Sequence, residues 1–206
     1  MGVPRWFADL LLRQLQGIVE LSPLQLQQLH SHYELLVKWN EKINLTSVRS
    51  PEEIVVRHYC ESLFFGAQLP DAPTGTRIVD VGSGAGFPGV PMAILRPDWR
   101  VTLVESHQRK AVFLRECSRE LGNIAVVPKR AETMLGSFDC VVSRAVRAED
   151  VLRAVHRLGR RIGLLVGQDD WENLKLWPDV AWRDPVPVLW TEKQLCAFGT
   201  HVPRGT

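Results

Sequence analysis

The chain has 206 residues, 45% of them hydrophobic, and its 25 lysines and arginines against 23 acids leave a net charge of +2. That length can bury a core without metal or disulfide support, as one large domain or as a core with a smaller appendage. No stretch approaches the roughly 20 charge-free apolar residues of a membrane span, and the early Asp9 and Arg13 do not suit a signal peptide, so a cytoplasmic location is expected.

Only 6 of the 25 basic residues are lysine. Arginine is the better partner for phosphates and base edges, which keeps a nucleic-acid substrate open. Cys60, Cys117, Cys140 and Cys196 stand singly, and the six histidines are dispersed. No metal-ligand spacing results, and Cys117 and Cys140 read as buried thiols.

Apolar spacing predicts a first helix over residues 6–20. Ser22-Pro23-Leu24-Gln25 combines an N-cap, a proline at N1 and a glutamine at N3, so a second helix starts there and runs to about Trp39. Ser50-Pro51-Glu52-Glu53 opens a third, with a further short helix around Ser62–Phe65. The turn-rich Pro70–Gly75 marks a boundary between a helical subdomain, 1–70, and a core, 71–206.

Strands and helices then alternate. Strands are expected at Arg77–Val81, Arg100–Glu105, Ile124–Val127, Phe138–Ser143 and Arg161–Val166, with helices at Val90–Leu95, His107–Leu121 and Glu149–Leu158. Gly122 is expected to close the second of these helices. Val180–Leu189 and Leu195–Phe198 read as final strands, with Pro185 and Pro187 weakening the former. Short apolar strands separated by helices indicate an α/β fold with a mainly parallel sheet covered on both faces.

The strand at Arg77–Val81 runs into Gly82-Ser83-Gly84-Ala85-Gly86-Phe87-Pro88-Gly89. Such a strand and glycine turn let backbone approach a nucleotide-like cofactor closely. Gly84-Ala85-Gly86-Phe87-Pro88-Gly89 fits the dinucleotide spacing formally. Against that reading, Pro88 removes a donor where a pyrophosphate would sit, and Asp80 suits the ammonium of S-adenosylmethionine better than a dianion. Glu105, ending the next strand, is placed to accept the ribose hydroxyls. Ser106 and His107 could flank adenine or ribose, with Ser106 alternatively a plain N-cap. Ala131 and Glu132, after the third strand, are placed near the adenine amino group.

Arg144, Arg147, Arg153, Arg157, Arg160 and Arg161 fall within eighteen residues. They are expected beside the cofactor crevice, holding a polyanion, with Arg49, Arg57 and His58 adding to the surface. Trp39 and Tyr59 could stack on bases, but aromatics at helical spacing are ordinarily core. No nucleophile, base and orienter group stands out, so no catalytic residue is assigned. A methyltransferase tolerates that absence because a sulfonium is already activated and alignment is the main requirement.

The sequence resembles the bacterial methyltransferases that modify N7 of a guanine in small-subunit ribosomal RNA, a family also called glucose-inhibited division protein B. The likeness spans roughly residues 30–166. It is carried by Trp39-Asn40 with Asn44-Leu45-Thr46, Arg57-His58 with Ser62-Leu63, and Asp80–Gly89. Thr102–Ser106 with Lys110 and Phe113-Leu114, Arg130-Ala131-Glu132, and Phe138-Asp139 with Ser143-Arg144-Ala145 continue it. The resemblance implies a class I S-adenosylmethionine-dependent methyltransferase core, Rossmann-like, with an N-terminal helical extension. It also implies that Gly82, Phe87, Glu105–His107, Ala131-Glu132 and Arg144 contact or border the cofactor. The implied acceptor is a guanine in the 530 loop of 16S ribosomal RNA, free or in the small subunit, and the enzyme is expected to be a monomer. Two positions depart from the pattern: Val166-Gly167 replaces a lysine-glycine pair, and Glu61 replaces an aspartate. The alternatives are an NAD-dependent oxidoreductase and a non-catalytic RNA-binding assembly factor.

Overall fold

The computed structural model describes residues 2–144 and 148–202, apart from the side chains at 148 and 154–156. The N-terminal part is helical: α1 (Arg5–Gln14), α2 (Pro23–Asn40), and α3 (Pro51–Ile54) running through a π-helical turn, Val55–Cys60, into α4 (Glu61–Gln68). The expected third and fourth helices are thus one continuous rod. Gly17, at φ 76°, adopts the left-handed conformation that stops α1 well short of residue 20.

At the start of α2 the reciprocal cap forms: Gln25 N–H donates to Ser22 Oγ at 3.2 Å and Ser22 N–H to Gln25 Oε1 at 2.9 Å. The Gln25 amide also donates to the Ile94 and Leu95 carbonyls at 2.9 and 3.1 Å. A residue read from sequence as a cap therefore also ties α2 to the core.

The core strands are β1 (Arg77–Val81), β2 (Arg100–Val104), β3 (Ile124–Val127), β4 (Phe138–Arg144), β5 (Gly159–Gly167), β6 (Val180–Trp182), β7 (Val186–Pro187) and β8 (Gln194–His201). The sheet order is β3-β2-β1-β4-β5-β8-β6, with β7 also on β8. The first five strands pair in parallel, and β8 runs antiparallel to β5. Between them lie α5 (Gly89–Leu95), α6 (Gln108–Cys117), α7 (Ala148–Leu158) and α8 (Gln168–Leu174).

Strand alternation divides the core in two. Ile78, Leu103, Val142, Leu165 and Phe198 join the cluster that contains α1, α2, α4, α5 and α6 residues. Val79, Val104, Val141, Leu164 and Ala197 join the cluster of α7 and α8. Both faces are covered, as short apolar parallel strands require. Tyr59 is fully buried, and Trp39 packs against the first cluster, so both are core aromatics.

Three local expectations change. The helix after β2 ends at Cys117, where Ser118 Oγ donates to the Leu114 carbonyl at 2.6 Å; Gly122 is not among the left-handed glycines. Pro185 splits the expected Val180–Leu189 strand into β6 and β7. The helix α8 was not expected; it carries Asp169 and Asp170 in its first turn and buries Trp171 and Leu174 one turn apart.

At Gly89 the start of α5 lies close against the sheet. A Cβ there would lie 2.4 Å from Leu103 Cδ2 and 2.6 Å from Asp80 Oδ2. Gly89→Ala should therefore lower unfolding free energy by about 1–3 kcal/mol, read by urea denaturation; wild-type stability would contradict this packing.

Candidate active site

The crossover from β1 to α5 lies at the carboxyl edge of the sheet, beside the β1–β4 switch in strand order, where open α/β sheets bind ligands. The turn is tied to β2: Gly82 and Ser83 donate to the Val104 carbonyl at 2.9 and 3.1 Å. Gly82, Gly84 and Gly86 have φ of 72°, 55° and 88°, which explains the alternation of glycine.

Glu105 holds the turn from the next strand. Its Oε2 accepts the Gly84 N–H at 2.9 Å and its Oε1 the His107 N–H at 2.7 Å. The carboxylate is thereby fixed at the rim of the cavity, with lone pairs left over for hydroxyl donors.

Asp80 does something else. Its side chain is wholly buried on the α5 side of β1, and Oδ2 accepts the Gly89 N–H at 3.1 Å. Burial pushes its pKa up to about 7, with Glu105 adding to the rise.

This bond settles what the N-terminus of α5 can offer a ligand. Pro88 and Pro91 have no N–H, Gly89 donates inward to Asp80, and Val90 donates to the Gly86 carbonyl at 2.7 Å. A pyrophosphate finds no helix-terminal donor there.

In front of the loop lies a cavity of about 790 Å³. Gly82, Gly84, Phe87 and Glu105 line it, together with Arg57, His58 and Arg144. His58 stacks on Phe87 with ring centroids 4.8 Å apart, and its Nε2 lies 2.7 Å from Thr46 Oγ1. Burial and the nearby Arg144 lower its pKa to about 3, so the ring is neutral.

Arg144, at the end of β4, donates through Nη2 to Glu61 Oε2 at 2.6 Å. With its amide oriented to satisfy both atoms, Gln194 also donates to Glu61, at 2.9 and 3.2 Å. The longer acid at position 61 is thus held from β4 and from β8. Arg144 Nη1 and His58 Nδ1 are buried polar atoms without a hydrogen-bond partner among the described residues, and both residues face the cavity.

The remaining sequence candidates are placed differently. Gly86 packs toward Val90 and His32. Ser106 and His107 are exposed after β2, with His107 rather than Ser106 at the N-cap of α6. Ala131 and Glu132 form the 3-10 turn after β3, with Glu132 exposed. None of these five residues lines the cavity. Arg147 lies outside the described residues.

The arginine cluster divides. Arg144 is at the carboxyl edge, but Arg157, Arg160 and Arg161 line a separate cavity with Phe138, Asp139 and Gly159. Phe138 and Gly159 pair at the amino ends of β4 and β5. The expectation that the whole cluster flanks the cofactor crevice is corrected for these three: α7 returns across the sheet, carrying its last turn to the opposite edge.

The model of the family described as rRNA small subunit methyltransferase G matches residues 25–170. The chain belongs to this family. It is 42% identical over 145 residues to the Ribosomal RNA small subunit methyltransferase G of Yersinia pseudotuberculosis serotype O:3, covering 68% of each protein. It is 52% identical over 118 residues to that of Nitrosomonas europaea, covering 55% of this chain and spanning about half, 53%, of that relative's length. The fold is that of class I S-adenosylmethionine-dependent methyltransferases. A SAM dependent methyltransferase from Aquifex aeolicus superposes with a TM-score of 0.59 at 14% identity, over 74% of this chain and 94% of that one. Aeropyrum pernix fibrillarin in complex with natively bound S-adenosyl-L-methionine gives 0.55 at 16% identity, over 68% and 72%.

The family match ends at residue 170, whereas Gln194 reaches the cavity from β8. Sequence reasoning missed this residue because nothing local marks it; only antiparallel pairing, Gly167 with Gln194, brings it in.

Asp80 gives the site a pH signature. A carboxyl raised from 3.8 to about 7 on folding stabilises the fold fully below its unfolded value, and that stability is lost as pH rises through about 7. Asp80→Asn should therefore flatten the fall in unfolding free energy between pH 5 and 8, measured by denaturant titration without ligand. Equal slopes in both proteins would contradict the burial of this carboxyl.

Proposed function

We propose that the protein transfers a methyl group from S-adenosylmethionine to N7 of a guanine in the 530 loop of 16S ribosomal RNA. The observation that carries the cofactor choice is the start of α5, where two prolines and two inward-directed N–H groups leave nothing for a pyrophosphate. The same feature counts against an NAD-dependent oxidoreductase. S-adenosylmethionine has no phosphate, and its ribose hydroxyls suit the carboxylate that Glu105 holds at the cavity rim.

When bound, the cofactor supplies a methyl on a sulfonium, so the C–S bond breaks as the N7–C bond forms and the electron pair stays on sulfur. Guanine N7 has a free lone pair, and no proton has to leave before attack. The residues then have to align and exclude water rather than exchange protons. Gly82, Gly84 and Phe87 shape the cofactor wall. Arg57 and His58 belong to the RNA side, and Arg144 sits where the two meet, its guanidinium steadied by Glu61. In this reading Asp80 supports the loop from beneath, while Ser106, His107, Ala131 and Glu132 border the adenosine end.

Residues 1–70 act as a helical subdomain facing the RNA and 71–206 as the transferase core. In this reading the enzyme acts as a monomer. Among the described residues no helix is long and apolar enough to cross a membrane. A ribosomal-RNA substrate fits a cytoplasmic enzyme.

The test uses 16S RNA and small subunits from a strain lacking the gene, incubated with methyl-labelled cofactor and mapped by nucleoside. Label on N7 of one guanine in the 530 loop is expected, falling by about 10–100-fold in Arg144→Ala, the scale of a lost charged hydrogen bond. Absence of label on both substrates, with RNA still bound, would instead make the protein a non-catalytic assembly factor.

A further inference from the structure

His32 is the buried polar residue on the inner face of α2, 1% exposed between the buried Leu29 and Leu36. Its ring bridges two elements far apart in sequence. Nε2 lies 3.1 Å from the Ala85 carbonyl oxygen, and Nδ1 lies 2.6 Å from Tyr59 Oη. A carbonyl can only accept, so Nε2 bears the proton and donates. Nδ1 is then the acceptor, and Tyr59 donates to it. One tautomer satisfies both bonds.

The ring is locked in that state. Burial lowers the His32 pKa to about 4 and raises that of Tyr59 well above the usual phenol value. Neither group changes protonation near neutral pH.

What His32 holds is the Ala85 carbonyl, in a peptide of the cofactor loop whose other end, the Gly86 N–H, donates to the Ser83 carbonyl at 2.7 Å. Ala85 lies between Gly84 and Gly86, both at positive φ. Flanking glycines leave several backbone conformations open, so a bond from outside the loop adds to its internal bonds in selecting among them. A Cβ on Gly86 would come within 3.1 Å of His32 Nε2, so the ring is seated against the loop. His32 and Tyr59 also meet Phe87 edge-on, with centroids 5.3 and 5.1 Å away.

We propose that His32, oriented by Tyr59, is a positioning residue for the cofactor: its bond to the Ala85 carbonyl holds the glycine loop in the conformation that receives S-adenosylmethionine. This rests on the methyltransferase reading above. Tyr59 belongs to the same π-helical turn as Arg57 and His58, so the turn that faces the RNA side also orients the residue that fixes the cofactor loop. π-Helical turns of this kind are frequent at functional sites.

The test compares wild type with His32→Leu, His32→Gln and Tyr59→Phe. Cofactor affinity is read by calorimetry, steady-state KM and kcat by methyl transfer, and folding by circular dichroism and thermal unfolding. His32→Leu should weaken cofactor binding and raise its KM by about tenfold, the upper scale of one neutral hydrogen bond, with kcat changed much less. His32→Gln can still extend an N–H to the Ala85 carbonyl and should recover most of that affinity. Tyr59→Phe should shift KM in the same direction as His32→Leu, by less. A folded His32→Leu with wild-type affinity overturns the proposal. If that variant does not fold, a Tyr59→Phe protein with wild-type affinity overturns it as well. Wild type that binds no S-adenosylmethionine would instead remove the cofactor reading on which this proposal stands, and a bound cofactor with unaltered variants would leave that reading intact.

Discussion

The Glu105 carboxylate bridging the Gly84 and His107 N–H groups is the interaction on which the site depends. A chain leaving β1 must reverse sharply to enter α5, and the reversal exposes backbone donors that need partners. Glu105 satisfies one at the rim, the Val104 carbonyl takes two at the strand end, and Asp80 takes another beneath. The loop thus reaches its cavity with its inner donors already used. That same arrangement distinguishes the ligand, because a helix N-terminus emptied of donors is a poor seat for phosphate.

The second constraint is that a loop rich in glycine needs support beyond its own bonds, in which Gly86 and Phe87 donate to the Ser83 carbonyl. Here the N-terminal helices supply part of the hold, through the aromatic box of His32, His58 and Tyr59 around Phe87. Their apolar residues share a cluster with β1, β2 and β8, so the extension and the sheet are packed as one body of hydrophobic contacts. The C-terminal strand enters the same site from the other side, where Gln194 and Arg144 meet on Glu61. Glu61 is pushed up in pKa by burial, against the pull of Arg144, and a carboxylate buried there needs both partners.

Much of this was legible in the sequence because the signals were local. β1 and β3 fall at the expected residues, the cap at Ser22 forms as read, and Glu105 follows β2 at the cavity rim. The α/β class and the family likeness hold. Features set by distant pairing were not legible. Gln194 joins the site only through the antiparallel β8, and the path of α7 sends Arg157, Arg160 and Arg161 to the amino edge. His32 did carry a signal, a polar side chain within the apolar stripe of α2, but its partners at Tyr59 and Ala85 are 27 and 53 residues away.

Calorimetric titration of the wild-type protein and Glu105→Gln with S-adenosylmethionine, and separately with NAD, tests the central claim most directly. Stoichiometric S-adenosylmethionine binding is predicted, weakened about 10–100-fold by the substitution, as befits loss of a charged acceptor, with no NAD binding. NAD binding in place of S-adenosylmethionine, or equal S-adenosylmethionine affinity in both proteins, would contradict it.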